Sequence, residues 1–376
     1  MPEASLSRQI RAAITPCQGA PFEMRTLHLR APRADEVRVR VVATGLCHTD
    51  LIVRDQLYPV PLPAVLGHEG AGVVEAVGPS VTTVAPGDHV VMSYGYCGRC
   101  RHCYEGAPSY CGEFFERNFG GSGPDGGHAL SDEHGRPVHD HFFSQSSFAT
   151  YALCRQSNAI RVPKAAPLAL LGPLGCGIQT GAGAIMNALA VSPMSRVAIF
   201  GAGAVGQSAI MAARVMGAAE IIAVDRRESR LTLARELGAT QAIDATYADP
   251  VEAICQLTGS GVDYALESTG NTTVLRQAIE SLDKRGVIGV VGAPPLGEQS
   301  AFDVNDLLVG GKQIRGIVEG DSVAKTFIPA LVDLHLRGRF PFDQLVRYYD
   351  FEDINQAAAD SENGRTLKPI LTLDAP

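Results

Sequence analysis

The sequence predicts an α/β protein of two domains, a β-rich domain with irregular loops followed by a doubly wound parallel sheet. Three observations predict it. The chain has 376 residues, and single hydrophobic cores stop growing near ~250–300 residues. The first ~175 residues hold Val-rich alternating segments cut by Gly and Pro, the signature of short strands and turns. After Cys176 strand-like and helix-like segments alternate, as βαβ units require.

Composition narrows the function classes. Apolar residues make up 45% and charged residues 19%, an ordinary globular balance that excludes disorder as the main state. The net charge is −8 and no Lys/Arg run occurs, which argues against nucleic acid as a partner. No run of ~18 apolar residues exists, so no membrane span is expected. The opening MPEASLSRQIRAAI lacks the apolar stretch of a signal peptide. A reducing cytoplasm is the expected compartment.

Taken in order, EVRVRVVATG, AGVVEAVG and GDHVVM read as strands. Residues 112–147 form a long insert rich in Gly, His, Asp and Phe. A loop of that length in a compact enzyme is usually functional or interfacial. Beyond Cys176, RVAIF (196–200) is a buried-strand run, GAGAVG a turn and QSAIMAARVMGA a helix; EIIAVD (220–225) is the next strand. ESRLTLARELGA, QAIDA, PVEAICQLTG, VDYALEST, NTTVLRQAIESL, GVIGVVGA and KQIRGIV continue the alternation. The six strands fill a Rossmann sheet. The tail, 321–376, returns to mixed helix and strand. The expected domains are 1–177 with 320–376, and 178–319.

Nine cysteines in a cytoplasmic chain argue against a disulfide framework. Cys97, Cys100, Cys103 and Cys111 crowd into SYGYCGRCRHCYEGAPSYC as C-x2-C-x2-C-x7-C. Four soft thiolates on one loop suit a closed tetrahedral zinc site, structural because no position is left for substrate. An iron–sulfur cluster and four unrelated thiols are the alternatives. The bacterial cluster pattern ends in x3-C-P, whereas here the last gap is seven and no Pro follows. A nucleic-acid zinc module is opposed by the acidic charge. Cys47 in TGLCHTD, His68 in LGHEG and Cys176 in PLGCGIQTG lie in Gly-rich contexts. One His and two Cys are the ligands of a catalytic zinc with an open fourth position. Cys17, Cys154 and Cys255 carry no readable role.

Gly201, Gly203 and Gly206 follow a Val/Ile strand and open a helix, the context that gives G-x-G-x-x-G its meaning. The first permits a tight turn, the second lets backbone approach a pyrophosphate, and the third allows close helix–strand packing. Phosphates would meet free N–H groups at the positive end of the helix. Asp225 ends the next strand, nineteen residues after Gly206. Its carboxylate suits both ribose hydroxyls and repels a 2′-phosphate, favouring NAD over NADP. Arg226 and Arg227 blunt that preference, since an Arg tolerates the phosphate.

With these motifs placed, the chain resembles the zinc-dependent medium-chain alcohol dehydrogenases over nearly its whole length. GLCHTD, LGHEGAGVVEAVG, the four-Cys loop, GCGIQTG, GAGAVG and Asp225 stand in that family's order. The stretch CHTDLIVRDQLYPVPLPAVLGHEG is most similar to the aryl-alcohol (benzyl alcohol) dehydrogenases and terpene-alcohol relatives such as geraniol dehydrogenases. The resemblance implies a GroES-like catalytic domain beside the Rossmann domain. It implies two zinc ions per subunit, NAD as cofactor, and a homo-oligomer, dimer or tetramer, built through the edge strand KQIRGIV. Cys47, His68 and Cys176 would hold the catalytic zinc, with Glu69 a nearby or transient ligand and Asp50 orienting the His. Thr49 would contact the substrate hydroxyl and begin a proton relay. Val205 and Thr180 would touch the cofactor, Arg230 the adenosine ribose, and Lys368 and His48 the phosphates. Many members end the relay with a His three residues after the Thr, where this chain has Ile52. His48 therefore has two readings, phosphate contact or relay terminus.

The implied reaction is NAD-dependent oxidation of a primary alcohol to the aldehyde. Zinc lowers the pKa of the bound hydroxyl, and hydride leaves the alcohol carbon for the nicotinamide. By the same resemblance Phe142 and Phe143 would wall the substrate pocket, Ala293 and Val318 would line its outer part, and Ser93 would stand near the zinc. A small residue at 93 with aromatic walls suits a bulky aryl or allylic alcohol. The other reading of the Phe cluster (114, 115, 119, 142, 143 and 148) is packing of the insert. Two further functions remain: an S-(hydroxymethyl)glutathione dehydrogenase, which would need a cation such as Arg117, and a non-catalytic NAD-binding protein.

Overall fold

The computed structural model describes residues 7–373, which divide into two compact units. One holds residues up to 176 together with 323–336 and 343 onward; the other holds 177–322 and 337–342. Gly177, residues 320–322 and residues 337–342, expected with the first unit, belong to the second.

The first unit is built on two β-sheets. In the larger, the strand Glu36–Gly45 is the spine. It pairs antiparallel with Glu69–Val77 along its length, with Tyr151–Arg155 over its first half and with Lys368–Thr372 at its end. Its Val37, Val39 and Val41 are buried on one face, as a period of two demands. His89–Met92 and Ala159–Arg161 extend the sheet on one side and Val346–Asp350 on the other. The smaller sheet runs Ala64–Val65, Arg8–Thr15, Glu23–Leu29, Leu130–Ser131 and Pro137–Val138. The long insert is thus structured. It contributes the last two of these strands, the helix Phe114–Phe119 and the turn Phe142–Ser144. The Asp140 carboxylate ties two parts of the insert together by accepting the N–H groups of Ala129 (2.5 Å) and Leu130 (2.7 Å).

The second unit is a parallel six-stranded sheet in the order Gln241–Asp244, Glu220–Asp225, Arg196–Phe200, Val262–Glu267, Leu282–Val290, Gln313–Gly316. That is the doubly wound Rossmann order, whose ligand crevice opens at the strand carboxyl ends. Phe200, Ile222, Val224, Ile243 and Ile254 form its buried core, each such side chain contributing ~1.5–3 kcal/mol by leaving water. The helices are bounded by their own chemistry. The Asp249 carboxylate accepts two N–H groups of Pro250–Thr258, which carries Pro in its first turn. Ala204–Met216 stops at Gly217, φ +83°. Among the described residues no single helix is long and apolar enough to cross a membrane.

Candidate metal and cofactor sites

Cys47, His68, Glu69 and Cys176 are separated by up to 129 residues in sequence, yet their ligand atoms lie within 4.8 Å of one another. Three local structures bring them there. Cys47 immediately precedes the helix His48–Arg54. His68 leads into the strand Glu69–Val77. Cys176 follows the turn Gly172–Gly175, where a Cβ on Gly175 would lie 2.2 Å from the Met92 carbonyl, so only Gly lets the turn lie so close.

A single buried carboxylate ties the first two together. Asp50 Oδ2 accepts from Cys47 N (2.9 Å), while Oδ1 accepts from Gly67 N (3.1 Å) and faces His68 Nδ1 (2.9 Å). This fixes the ring with Nε2 inward. That nitrogen is buried and has no hydrogen-bond partner among the described residues. An unpaired buried polar atom costs ~1–3 kcal/mol, and a metal ion is the partner that two thiols and an imidazole suit. The Cys47 thiol is held well below the ordinary thiol range by its hydrogen bond with Cys176, against its burial, with Lys368 and His68 assisting. A thiolate is the form that binds metal. Burial disfavours a charged His68, but the Asp50 carboxylate outweighs it and raises the ring's basicity.

Glu69 is buried, and its carboxylate accepts two hydrogen bonds from Lys368 Nζ at 2.8 and 3.0 Å. Burial pushes the Glu69 carboxyl up, and Lys368 opposes that. The structure gives Lys368 a protein partner that the sequence did not indicate. The residue, expected on a cofactor phosphate, is 3% exposed and its ammonium is paired with Glu69, because a buried cation needs a counter-charge.

Around this cluster, Thr49 Oγ1 lies 3.8 Å from Cys47 Sγ and is half-buried. His48 is exposed and Ile52 buried. Ser93 is buried and its Oγ donates to the Gly175 carbonyl at 2.7 Å. The Phe cluster divides. Phe143 stacks on the His68 ring (4.4 Å, 25°) and Phe142 meets it edge-on (5.3 Å, 89°), with Phe119 behind both. Phe114 and Phe148 instead pack on Tyr94 and Phe22. The backbone under the first group is strained: His141, Phe143, Ser144 and Ser146 have φ of +59°, +48°, +56° and +51°. Such non-Gly conformations cost ~1–3 kcal/mol each and concentrate at functional sites. The sequence reading assigned nothing to Ser144, Gln145, Ser146 and Ser147, yet all four are buried. The one available signal was a polar run between apolar residues. Arg117, the cation a glutathione substrate would need, is buried and bonded to Glu113.

The second cluster is local. Cys97, Cys100, Cys103 and Cys111 have their sulfurs within 4.8 Å of one another. Backbone N–H groups of Cys97, Arg99, Cys100, Gly112 and Glu113 donate to sulfurs of the set at 3.2–3.4 Å. The Gly112 N–H brings the Cys100 thiol down to about 6, while burial pushes Cys103 up to about 12. Four inward sulfurs with N–H groups around them fit a closed thiolate site. Among the other cysteines, Cys17 is exposed, Cys154 buried and Cys255 intermediate.

In the second unit the glycine motif lies where the sequence placed it. Gly201 has φ +94°, and a Cβ on Gly206 would fall 1.8 Å from the Gly201 carbonyl. A Cβ on Gly203 would meet no protein atom within 4 Å. Asp225 accepts the Ala202 N–H at 2.7 Å. With Gly201, Arg226, Arg227, Arg230 and Thr269 it borders a cavity of about 770 Å³. Arg230 Nη1 is 3.6 Å from Asp225. Thr180 and Val205 are half-buried, while Ala293 and Val318 are exposed. A nucleotide with a pyrophosphate fits these residues.

Fold and clusters together define a two-domain zinc-binding dehydrogenase, and comparison with known proteins agrees. Residues 33–164 match the alcohol dehydrogenase GroES-like domain and 204–335 the zinc-binding dehydrogenase domain. The chain is 45% identical to a geraniol dehydrogenase of Castellaniella defragrans over 96% of this chain and 97% of that one. Its fold matches a zinc-binding alcohol dehydrogenase structure from Burkholderia ambifaria, with TM-score 0.97, 66% identity and coverage of 98% and 100%. It also matches a benzyl alcohol dehydrogenase structure from Acinetobacter calcoaceticus, with TM-score 0.95, 60% identity and the same coverage. The chain belongs to the zinc-binding alcohol dehydrogenase family.

Proposed function

We propose that this enzyme uses NAD to oxidise a bulky primary alcohol, aryl or allylic, to its aldehyde, with one zinc at Cys47, His68 and Cys176 and a second at the four-Cys loop. The observation that carries the substrate reading is the pair Phe142 and Phe143 packed on the His68 ring. An aromatic wall beside a metal ligand, with a small Ser at 93, favours a flat substrate. The names of two relatives, a geraniol dehydrogenase and a benzyl alcohol dehydrogenase, point the same way. Bound zinc supplies Lewis acidity at the substrate oxygen, and NAD accepts the hydride. This chain's own residues do the rest. Asp50 holds His68 in the tautomer that presents Nε2. Thr49 lies beside Cys47 Sγ, where its hydroxyl takes the proton lost by the alcohol. Ile52 has no polar atom, so the proton's next stop is the exposed His48 or water. Phe142 and Phe143 keep water from the imidazole. Asp225 would accept the adenosine ribose hydroxyls and, being anionic, disfavour a 2′-phosphate. Gly201, Gly203, Val205, Gly206, Arg230 and Thr180 would bind the rest of the nucleotide, and Ala293 and Val318 would meet the outer part of the substrate.

The test is NADH formation with benzyl alcohol, geraniol and ethanol in parallel. Benzyl alcohol or geraniol should exceed ethanol in kcat/KM by about a hundredfold, ~3 kcal/mol of transition-state discrimination. Equal rates with ethanol would reduce the Phe pair to packing. Equal rates with NADP would remove the role given to Asp225.

Self-association follows from the second unit. Every residue of the edge strand Gln313–Gly316 is exposed, and Val304, Leu308 and Val309 nearby are 67%, 74% and 79% exposed. A two-fold pairing with a second copy would cover both edge and apolar patch. Light scattering should give a dimer or a multiple of it, reduced by Ile314→Glu. Nine free cysteines suit a reducing cytoplasm.

A further inference from the structure

The segment 145–148 runs alongside 65–70 and is stitched to it. The backbone N–H groups of Phe148 and Ser147 donate to the carbonyls of Leu66 and Gly67. Closer to the strained turn the backbone swings away, and side chains take over. Ser146 Oγ donates to the Val65 carbonyl at 2.7 Å. Gln145 then makes three bonds. Its Nε2 donates to the His68 carbonyl at 2.9 Å and the Ser93 carbonyl at 3.3 Å, and its Oε1 accepts the Gly70 N–H at 3.1 Å. The ladder between Glu69–Val77 and His89–Met92 is formed only at Ala71–Val73. Gln145 bridges the two chains beyond it.

We propose that Gln145 is a positioning residue for the metal. Its amide grips the backbone on both sides of Glu69, at the His68 carbonyl and the Gly70 N–H. It is 2% exposed, so water cannot replace these bonds. Asp50 fixes the imidazole from its far edge through Nδ1, and Phe143 fixes its face. Gln145 fixes the peptide that carries it. It also ties that peptide to Ser93, whose hydroxyl bonds to Gly175, the neighbour of Cys176. Two of the three ligands thereby share one register. No amide isostere of hydrocarbon shape makes any of these bonds, and Glu keeps only the one to Gly70.

The inference rests on His68 being a metal ligand, and the experiment separates the two ideas. Cobalt is substituted for zinc in the whole enzyme, and the visible bands that His68→Ala removes are assigned to this site. In Gln145→Leu and Gln145→Glu those bands should shift. Metal release from the site to a chelator should quicken about tenfold or more, the usual scale for groups that orient ligands. Asn118→Ala is the control. It loses bonds to Gly95 and Phe114 in the same region but none to the His68 peptide. It should lower thermal stability comparably, with bands and release as in the parent. Unchanged bands and release in both Gln145 variants would overturn the role of Gln145 while leaving His68 as ligand. Bands that survive His68→Ala intact would overturn both.

Discussion

The two cysteine clusters of the first unit solve the same chemical problem in opposite ways. The four-Cys loop draws every donor from fifteen consecutive residues, and its sulfurs are bonded by backbone N–H groups of that same loop. The Cys47 cluster draws its donors from three distant segments and holds them with side chains, Asp50 and Lys368 among them. Its imidazole is fully buried, whereas three of the four loop cysteines are only partly so. A self-contained loop can fold around its ion and then needs nothing from the rest of the domain. A dispersed cluster must be assembled by the fold and so can stay incomplete, with one position left for substrate. The difference teaches which site should fail in chemistry and which in stability.

The sharpest break of this comparison is a crossed pair of substitutions. His68→Ala removes a ligand from the assembled site. Turnover should fall by at least about a thousandfold, ~4 kcal/mol, with one zinc fewer per chain and a thermal midpoint lowered by only a few degrees. Steady-state rates, metal analysis and calorimetry read the three quantities. Cys100→Ser should do the reverse. The loop has no core to fall back on and metal binding is its folding energy, so the midpoint should drop by roughly 10 °C, ~8 kcal/mol at this size, and soluble yield with it. The enzyme that stays folded should keep its turnover within a few-fold. A stable Cys100→Ser protein with hydride transfer selectively lost would show that the two sites are not separable.

The same contrast decides what the sequence revealed. The four-Cys loop and the glycine motif are legible because their chemistry lives in local spacing and backbone geometry. Gly206 is forced by a carbonyl five residues away, and the Cys loop by its own turns. The sheet order likewise follows from alternating βα texture. Cys47, His68 and Cys176 were readable only from residue type, the motifs around them and a family resemblance, since nothing in their spacing brings them together. The pairing of Lys368 with Glu69 was illegible for a related reason. The family resemblance gives the Lys of GRTLKPIL a phosphate contact and names no protein partner for it. Its partner is set by long-range register, in which Ile370 faces Gly45 and Gly45 faces Glu69. Gln145 gave no signal beyond its place in a polar run, because a buried amide is recognised by its partners and these lie 52 to 77 residues away.

The smallest expected effect tests whether the assembled site depends on its supporting side chains as closely as the geometry suggests. Three donors converge on Asp50: the N–H groups of Cys47 and Gly67 and Nδ1 of His68. Asn at this position has nearly the same shape but only one acceptor atom, and its NH2 would confront a backbone N–H. One donor must then go unpaired, or the imidazole must exchange its tautomer and turn Nδ1 into an acceptor. The first loosens a segment that carries a ligand, and the second withdraws the fixed Nε2 lone pair from the metal. Asp50→Asn should therefore cost about ten- to a hundredfold in zinc affinity and in kcat, ~1.4–2.7 kcal/mol, measured by chelator competition and steady-state rates. The loop has no counterpart to this substitution, because most of its supporting donors are backbone N–H groups that no side-chain change removes. Replacing its neighbour Glu113 by Gln should leave its zinc affinity within about twofold, since the backbone N–H of that residue still donates to Cys111 Sγ. Equal losses in Asp50→Asn and Glu113→Gln would mean that both sites lean on side chains, and that the distinction between a folded-in and a self-built metal site does not hold for this enzyme.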